Sequence, residues 1–383
     1  MPRAGLVEIT SAFFGALAEE SAVSVISSPF FHSSDLRYTL PDMAGTYRLF
    51  EIHGKKDGRI VNRAIPEPAA DEIRVKVSHV GICGSDLHYF FEGANGSFAI
   101  KEPLVPGHEI SGEIDQDPQS EFNSGTPVAI FPAQPGVPIE GLVERPHLWH
   151  GVRYMGSAAT NPHTQGGMAE YIIVKRGMVR PLPNGVSLAA GALAEPLAVA
   201  LHGVKLAGDL TGKKVLVSGS GPIGLLTIVA AKSAGADEIT ATDLFDEALA
   251  RAISVGADKI VNVSSSSLSD NSFDVIFECS GSPRALNSAI AAVQRGGVIV
   301  QVGMLGPGLH PIDIGAVVTK ELRVNGAFRF NDEMEEALTL LQQIPQLERC
   351  ISHQFSIDDV LTAFEIAHDA QASGKVLVRL RSK

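Results

Sequence analysis

The segment 214–243 constrains the fold most. K-V-L-V-S (214–218) is a short apolar run of the buried, parallel-strand type, and it leads straight into G-S-G-P-I-G. Gly219, Gly221 and Gly224 fit G-x-G-x-x-G. In that pattern the first glycine makes a tight turn, the second lets the backbone approach a pyrophosphate, and the third lets helix pack on strand. A helix predicted from Pro222 to Ala234 would aim its N-terminal N–H groups at the phosphates. The next strand, Glu238 to Ala241, is followed by Asp243. Asp243 lies about 20 residues past the glycines, where a carboxylate accepts from the adenosine ribose hydroxyls and repels a 2′-phosphate. NAD is therefore favoured over NADP. The competing reading is that Asp243 merely caps the helix starting near Asp246. The glycine motif alone is weak; the strand before it and the helix after it give it weight.

The pattern continues with a helix from Asp246 to Val255, strands at Lys259 to Val263 and Val275 to Glu278, a helix from Pro283 to Gln294 and a strand from Val298 to Val302. Strands alternating with helices imply an α/β, doubly wound parallel sheet of Rossmann type. Upstream the texture differs. Short strands at Arg48 to His53, Arg59 to Asn62 and Glu72 to Ser78 alternate with turn residues, and glycine and proline recur through Gly185. This reads as a β-rich first domain with long loops. An apolar helix from Leu188 to Leu206, with Ser187 as its cap, bridges the two textures. Helices at Asp332 to Gln343 and Ile357 to His368 and a strand at Val376 to Leu380 are expected to return to the first domain.

A chain of 383 residues accommodates two such domains. The expected division is an N-terminal extension over 1–44, a β-rich domain over 45–196 completed by 330–383, and a dinucleotide-binding domain over 197–329. Residues 1–42 carry no sustained period; they read as a disordered tail, or as an extension upstream of a protein that could begin at Met43. The net charge of −12 and the absence of a Lys/Arg cluster disfavour nucleic acid and anionic membrane as partners. No apolar run is clean enough to span a bilayer; Glu195, Pro196, His202 and Lys205 interrupt the best one. Cys83, Cys279 and Cys350 are odd in number and far apart, which fits a reducing, cytoplasmic setting rather than a disulfide framework.

Three segments hold metal-ligand residue types: G-I-C-G-S-D-L-H-Y (81–89), P-G-H-E (106–109) and A-E-P-L (194–197). Cys83, His108 and Glu195, with water, could form an open four-coordinate zinc site of catalytic type, with Glu109 as a further ligand. Each has a plainer reading. A lone cysteine is often a small buried hydrophobe, and Glu195 could simply favour the first turn of a helix. The spacing is not local and proves no site.

These three segments, together with the glycine loop, resemble the zinc-dependent medium-chain dehydrogenases, from about Tyr47 to the C-terminus. E-G-A-N-G-S-F-A-I-K-E-P-L-V-P-G-H-E (92–109), Y-M-G-S-A (154–158), P-H-T-Q-G-G (162–167), V-G-M-L (302–305) and K-E-L-R-V-N-G-A-F-R-F (320–330) resemble the sorbitol and L-idonate 5-dehydrogenase branch, on its L-idonate side. The resemblance implies a GroES-like catalytic domain plus the Rossmann domain, a bound Zn2+ and NAD, and a homo-oligomer, tetramer or dimer. It implies that Cys83 and His108 are zinc ligands, with Glu109 and Glu195 sharing the remaining coordination. Ser85 would take the proton from the substrate hydroxyl and His88 would pass it to solvent. Asp86 would orient His108. Tyr89, Phe328 and Arg329 would line the substrate and nicotinamide pocket, while Ile223, Val302 and Met304 would flank the dinucleotide.

Two departures stand out. Where relatives often hold a structural zinc with four cysteines, the lobe from Phe131 to Val152 has Pro135, Pro138, Gly141 and Trp149, so one catalytic zinc is expected and no structural one. Where some relatives place a basic residue after the ribose-binding acid, this chain has Ala248; Arg251 is the candidate substitute.

The reaction that the resemblance implies is hydride transfer from a secondary alcohol of a small sugar acid or polyol to NAD, with L-idonate as the expected substrate. Glu195, His163 and Arg329 are candidate partners for substrate polar groups, and Arg329 could pair with a carboxylate. A salt bridge between Arg329 and the C-terminal segment is the alternative. A sorbitol- or xylitol-type polyol dehydrogenase, a zinc-free reductase of the same fold, or a non-catalytic dinucleotide-binding protein are the competing functions.

Overall fold

The computed structural model describes residues 45–381, so the reading of residues 1–44 lies outside the described residues. The second half forms the expected parallel sheet. Its six strands run Lys259–Asn262, Glu238–Asp243, Lys214–Ser218, Phe273–Glu278, Val293–Gln301, Arg323–Gly326, all parallel. This is the doubly wound order, and it reverses between Lys214–Ser218 and Phe273–Glu278. The strands are apolar runs because both faces are covered. Val215, Leu216 and Val217 are fully buried, and so are nearly all side chains of the helix Pro222–Ser233 after its first turn. That helix is apolar all round because it lies between the sheet and the helix Ala194–Ala207.

The first half is built on a seven-stranded sheet. Six strands follow the order Val179–Pro181, Pro127–Ile130, Glu109–Gln116, Glu72–Gly81, Lys375–Arg379, Ile351–Ser356, and Tyr171–Lys175 also pairs with Glu72–Gly81. Ile73, Val75 and Val77 point into the core while Arg74 and Lys76 do not, the period-2 pattern visible in the sequence. The C-terminal strand Lys375–Arg379 lies antiparallel to Glu72–Gly81, so the chain does return to its first domain.

Several elements differ from the sequence reading, among them the sixth parallel strand Arg323–Gly326 and the helix Ile314–Thr319, which were not expected. The apolar stretch after Ser187 is two helices, Leu188–Gly191 and Ala194–Ala207; Ser187 caps the first by accepting from the Ala190 N–H. A helix over Gly84–Glu92 was not apparent from the sequence. Its N-cap is Cys83, a residue outside the usual capping set, and it stops at Gly93 in the left-handed region, at φ 80°.

The lobe between Phe131 and Val152 is held without cysteines. Ala133–Gln134 pairs with Arg153–Tyr154, the Trp149 indole donates to the Leu142 carbonyl at 2.8 Å, and Gly136 leaves no room for a side chain beside the His150 carbonyl. A polar chain then ties the lobe to the rest. His147 meets the Asn331 side-chain oxygen at 3.3 Å, Asn331 donates its amide to the Glu144 carbonyl at 3.0 Å, and Glu333 accepts from the Asn331 N–H and pairs with His202 at 3.1 Å. Burial opposes the Glu333 charge, but the His202 hydrogen bond and the backbone N–H outweigh it and hold the carboxyl down at about 2. Its stabilisation is therefore present above the ordinary carboxylate value of 4.5 and is lost as pH falls towards about 2. Glu333→Gln should cost about 1–3 kcal/mol at neutral pH and flatten the acid limb of a plot of Tm against pH. An unchanged acid limb in the variant would contradict this.

Candidate active site

The strand Glu72–Gly81 ends where the helix Gly84–Glu92 begins, which places Cys83 at a helix N-terminus. Asp86 is wholly buried. One of its oxygens accepts from the Cys83 N–H at 2.9 Å and the other from the Gly107 N–H at 3.0 Å. Its hydrogen bonds thus fix the backbones of the two ligand-bearing segments, and the expected bond to the His108 ring is not among them. Gly107 sits at φ 92°, with the Val80 side chain where a Cβ would go, and only glycine serves there. His108 and Glu109 follow, both buried. Gly81 stands opposite Glu109 in the ladder, and a Cβ on it would lie 1.8 Å from Glu109 Oε2. The missing side chain at Gly81 is what admits the carboxylate.

The ligand atoms of Cys83, His108 and Glu109 lie within 4.8 Å of one another, so Glu109 takes the place in the trio that the sequence reading gave to Glu195. Glu195 is outside that trio. It opens the helix Ala194–Ala207, is buried, and accepts from the Tyr154 hydroxyl at 2.5 Å. Tyr154 in turn packs edge-on against His108, with ring centroids 5.5 Å apart. Two further residues belong to the site and escaped the sequence reading. One is Tyr154. The other is Lys375, a fully buried lysine whose ammonium donates to Glu109 Oε1 at 2.6 Å and to the Ile82 carbonyl at 3.1 Å.

This donor set fits a zinc ion. It offers sulfur, nitrogen and oxygen in a buried cluster, and Glu109 Oε2 has no hydrogen-bond partner there. The charge balance agrees. Burial would lower the His108 pKa, yet Cys83, Glu195 and Asp86 together raise it to about 10. The surrounding anions favour a positive charge at this point.

Ser85 is half-buried in the first turn of the same helix, and His88, one turn on, is exposed and bonded to Glu92 at 3.0 Å. Burial falls from Ser85 to His88, and His88 bonds to Glu92 rather than to Ser85. Arg329 adopts φ 55°, and its guanidinium lies 4.0 Å from the Tyr154 ring centroid and 4.8 Å from that of Phe328. Burial lowers its pKa, while Tyr154 and Glu195 support its charge. Arg329 therefore faces the cluster, and no ion pair with the C-terminal segment is found for it among the described residues. Tyr89 is buried beside it in the fold, its hydroxyl accepting from the Ala158 N–H at 3.0 Å.

His163 does not take the expected place. It is buried, its Nε2 accepts from the Lys101 N–H at 2.9 Å, and its Nδ1 donates to the Thr160 carbonyl at 2.9 Å. Both ring nitrogens are spent on the backbone. Arg251 is likewise committed, donating to the Ala370 and Gln371 carbonyls at 3.2 Å, so it does not replace the basic residue absent at Ala248. Ala248 itself is buried in the helix Asp246–Val255.

At the glycine loop each glycine has a distinct surrounding. Gly219 is at φ 92° against Ser280, a Cβ on Gly224 would fall 1.9 Å from the Gly219 carbonyl oxygen, and Gly221 faces open space. Asp243 ends its strand and accepts from the N–H groups of Ser220 at 2.8 Å, Leu244 at 2.7 Å and Phe245 at 3.2 Å. The N-cap of the next helix is Phe245, so Asp243 is not its cap. Ile223 lies in the first turn of Pro222–Ser233, Val302 follows the strand Val293–Gln301, and Met304 and Phe328 are exposed.

This combination of a soft-and-hard donor cluster in a GroES-like domain and a Rossmann crevice beside it defines a metal-assisted, dinucleotide-dependent oxidoreductase. Residues 69–184 match the alcohol dehydrogenase GroES-like domain, and residues 222–343 match the zinc-binding dehydrogenase family. The L-idonate 5-dehydrogenase (NAD(P)(+)) of Escherichia coli is 36% identical over 313 residues, covering 79% of this chain and 90% of that one. Bovine sorbitol dehydrogenase is 34% identical over 328 residues, covering 82% and 91%. The crystal structure of the E. coli L-idonate 5-dehydrogenase superposes with a TM-score of 0.83 at 33% identity, covering 87% of this chain and 98% of that one. A zinc-binding dehydrogenase of Sinorhizobium meliloti bound to NADP gives 0.79 at 28% identity, covering 87% and 99%. The chain belongs to the zinc-dependent alcohol dehydrogenase family and is an oxidoreductase of its polyol and sugar-acid dehydrogenase group. No helix among the described residues is long and apolar enough to cross a membrane.

Proposed function

We propose that this enzyme oxidises a secondary hydroxyl of a sugar acid with NAD, and that L-idonate is its substrate. The observation that carries the sugar-acid reading is Arg329, a cation held over Tyr154 beside Glu195 and, among the described residues, without a carboxylate salt bridge of its own. A guanidinium in that setting suits a substrate carboxylate. Glu195 and Tyr154 supply a carboxylate and a phenol for hydroxyl groups of the same ligand. A single zinc would be held by Cys83, His108 and Glu109, with Glu195 adjacent. It would polarise the reacting hydroxyl as a Lewis acid. No second, structural ion is expected, since the lobe at 131–152 is tied down by Trp149 and Asn331.

Within this scheme Ser85 would accept the hydroxyl proton while releasing its own, and His88, open to solvent, would take up the released proton through intervening solvent. Asp86 keeps the two ligand segments in register. Lys375 holds one oxygen of Glu109 and so directs the other towards Cys83 and His108. A bound nicotinamide would be the hydride acceptor, and the Rossmann half (197–329) would hold it beside the metal-bearing half (45–196 with 330–383). Asp243, at the end of the second strand with no basic neighbour free to offset it, supports NAD over NADP.

Arg329→Met is the test of substrate class. The loss of a charge-assisted pair costs about 1.5–3 kcal/mol, so KM for L-idonate should rise roughly 10- to 150-fold. KM for sorbitol and xylitol should change little. Equal effects on acid and polyol would contradict the carboxylate role, and wild-type activity confined to polyols would move the substrate to that group.

A further inference from the structure

A buried carboxylate on the parallel sheet has no part in the scheme above. Glu278 is the last residue of the strand Phe273–Glu278, at the point where the strand order reverses and the dinucleotide crevice opens. It is fully buried. A charged group is held at such a place only when donors surround it. Four do. The Ser280 N–H donates at 2.9 Å, the Gly281 N–H at 3.0 Å and the Gln301 amide at 2.5 Å, and the Ser280 hydroxyl completes the set. The backbone carbonyl of the same residue accepts from both the Val302 and Gly303 N–H groups, at 2.9 and 2.8 Å. Gln301 also donates to the Gly303 carbonyl at 2.6 Å.

Glu278 is therefore the common anchor of two loops, 279–282 and 302–304, which leave the ends of adjacent strands. The loops touch without side chains between them. A Cβ on Gly281 would lie 2.4 Å from the Met304 carbonyl oxygen, and one on Gly303 would lie 2.3 Å from the Gly281 nitrogen. The first loop also backs onto the glycine turn, since a Cβ on Gly219 would meet Ser280 at 2.9 Å. Three chain segments around the crevice thus interlock, and one carboxylate sets the height of two of them.

We infer that Glu278 is a positioning residue for the dinucleotide: it does not touch the cofactor, but fixes the loops carrying Ser280 and Val302 on which the cofactor rests. The inference relies on NAD being the cofactor and is independent of the substrate. An isosteric amide at this position keeps the volume but turns a donor towards N–H groups that need an acceptor.

Titration calorimetry with NADH tests it. Glu278→Gln should weaken NADH binding about tenfold, the equivalent of losing one good hydrogen bond to a charge. KM for NAD should rise by a similar factor, with kcat at saturating NAD and zinc content close to wild type. Gln301→Met, which removes only the tie to Glu278 and Gly303, should shift NADH affinity in the same direction by a smaller factor. It decides the matter if Glu278→Gln fails to fold. Wild-type NADH affinity in a folded Glu278→Gln, or in Gln301→Met if that variant alone folds, overturns the inference and leaves the cofactor reading intact. Wild-type protein that binds no NADH overturns both.

Discussion

Cys83→Ala should lose zinc and about four orders of magnitude in kcat/KM, because a Lewis-acid metal contributes several kcal/mol to the transition state. The fold should survive. The Cys83 backbone N–H would still donate to Asp86, and the Gly107 N–H would still hold the other oxygen, so the two segments remain joined. NADH binding should also survive, since the glycine loop lies in the other half of the chain, directly after the strand Lys214–Ser218. Metal analysis, calorimetry with NADH and turnover separate these three outcomes. Wild-type turnover in a variant that no longer holds zinc would remove the metal from the mechanism. A variant that lost NADH binding along with zinc would show that the two halves fold as one unit, and the loss of turnover could not then be assigned to the ligand.

Gly224→Ala should raise the dissociation constant for NADH about a hundredfold. Its Cβ would fall 1.9 Å from the Gly219 carbonyl oxygen, so the turn must open. Overpacking of this kind costs about 1–3 kcal/mol, and that cost is expected to appear both as a lower Tm and as a misplaced phosphate turn. Gly221→Ala separates the two effects. Gly221 has an ordinary φ of −71° and open space where a Cβ would stand. The folded protein should tolerate that methyl with little change in Tm, and NADH, which must approach the backbone there, should not. If Gly221→Ala bound NADH as wild type does, the pyrophosphate would not sit on this turn.

The Rossmann half was legible almost strand by strand, because its signals are local. An apolar run, a glycine turn and a helix with proline in its first turn all lie within 214–233. The candidate ligand residues Cys83, His108 and Glu109 were legible as types, but their meeting depends on the pairing of Gly81 with Glu109 and on the two hydrogen bonds that Asp86 accepts from the Cys83 and Gly107 N–H groups, neither of which has a sequence period. Lys375 was hidden for a related reason. At the start of K-V-L-V-R a lysine reads as a solvent-facing strand residue, and only the docking of that strand against Glu72–Gly81 buries it beside Glu109. Tyr154 sits in a two-residue strand that carries no pattern of its own. His163 shows the converse error. Its residue type suggested a substrate contact, whereas the backbone of Lys101 and Thr160 had already taken both ring nitrogens. The helix Gly84–Glu92 was missed because cysteine stands in its capping position.

The central claim joins a metal held by Cys83, His108 and Glu109 to the oxidation of a sugar acid by NAD. The most direct test is the rate of NADH formation by the purified protein with L-idonate, followed by chelation with phenanthroline and then by return of zinc. The account predicts turnover of L-idonate, its loss on chelation and its recovery with zinc. Turnover that persists after the metal has been removed, or no NADH formed from L-idonate by zinc-replete protein, would contradict it.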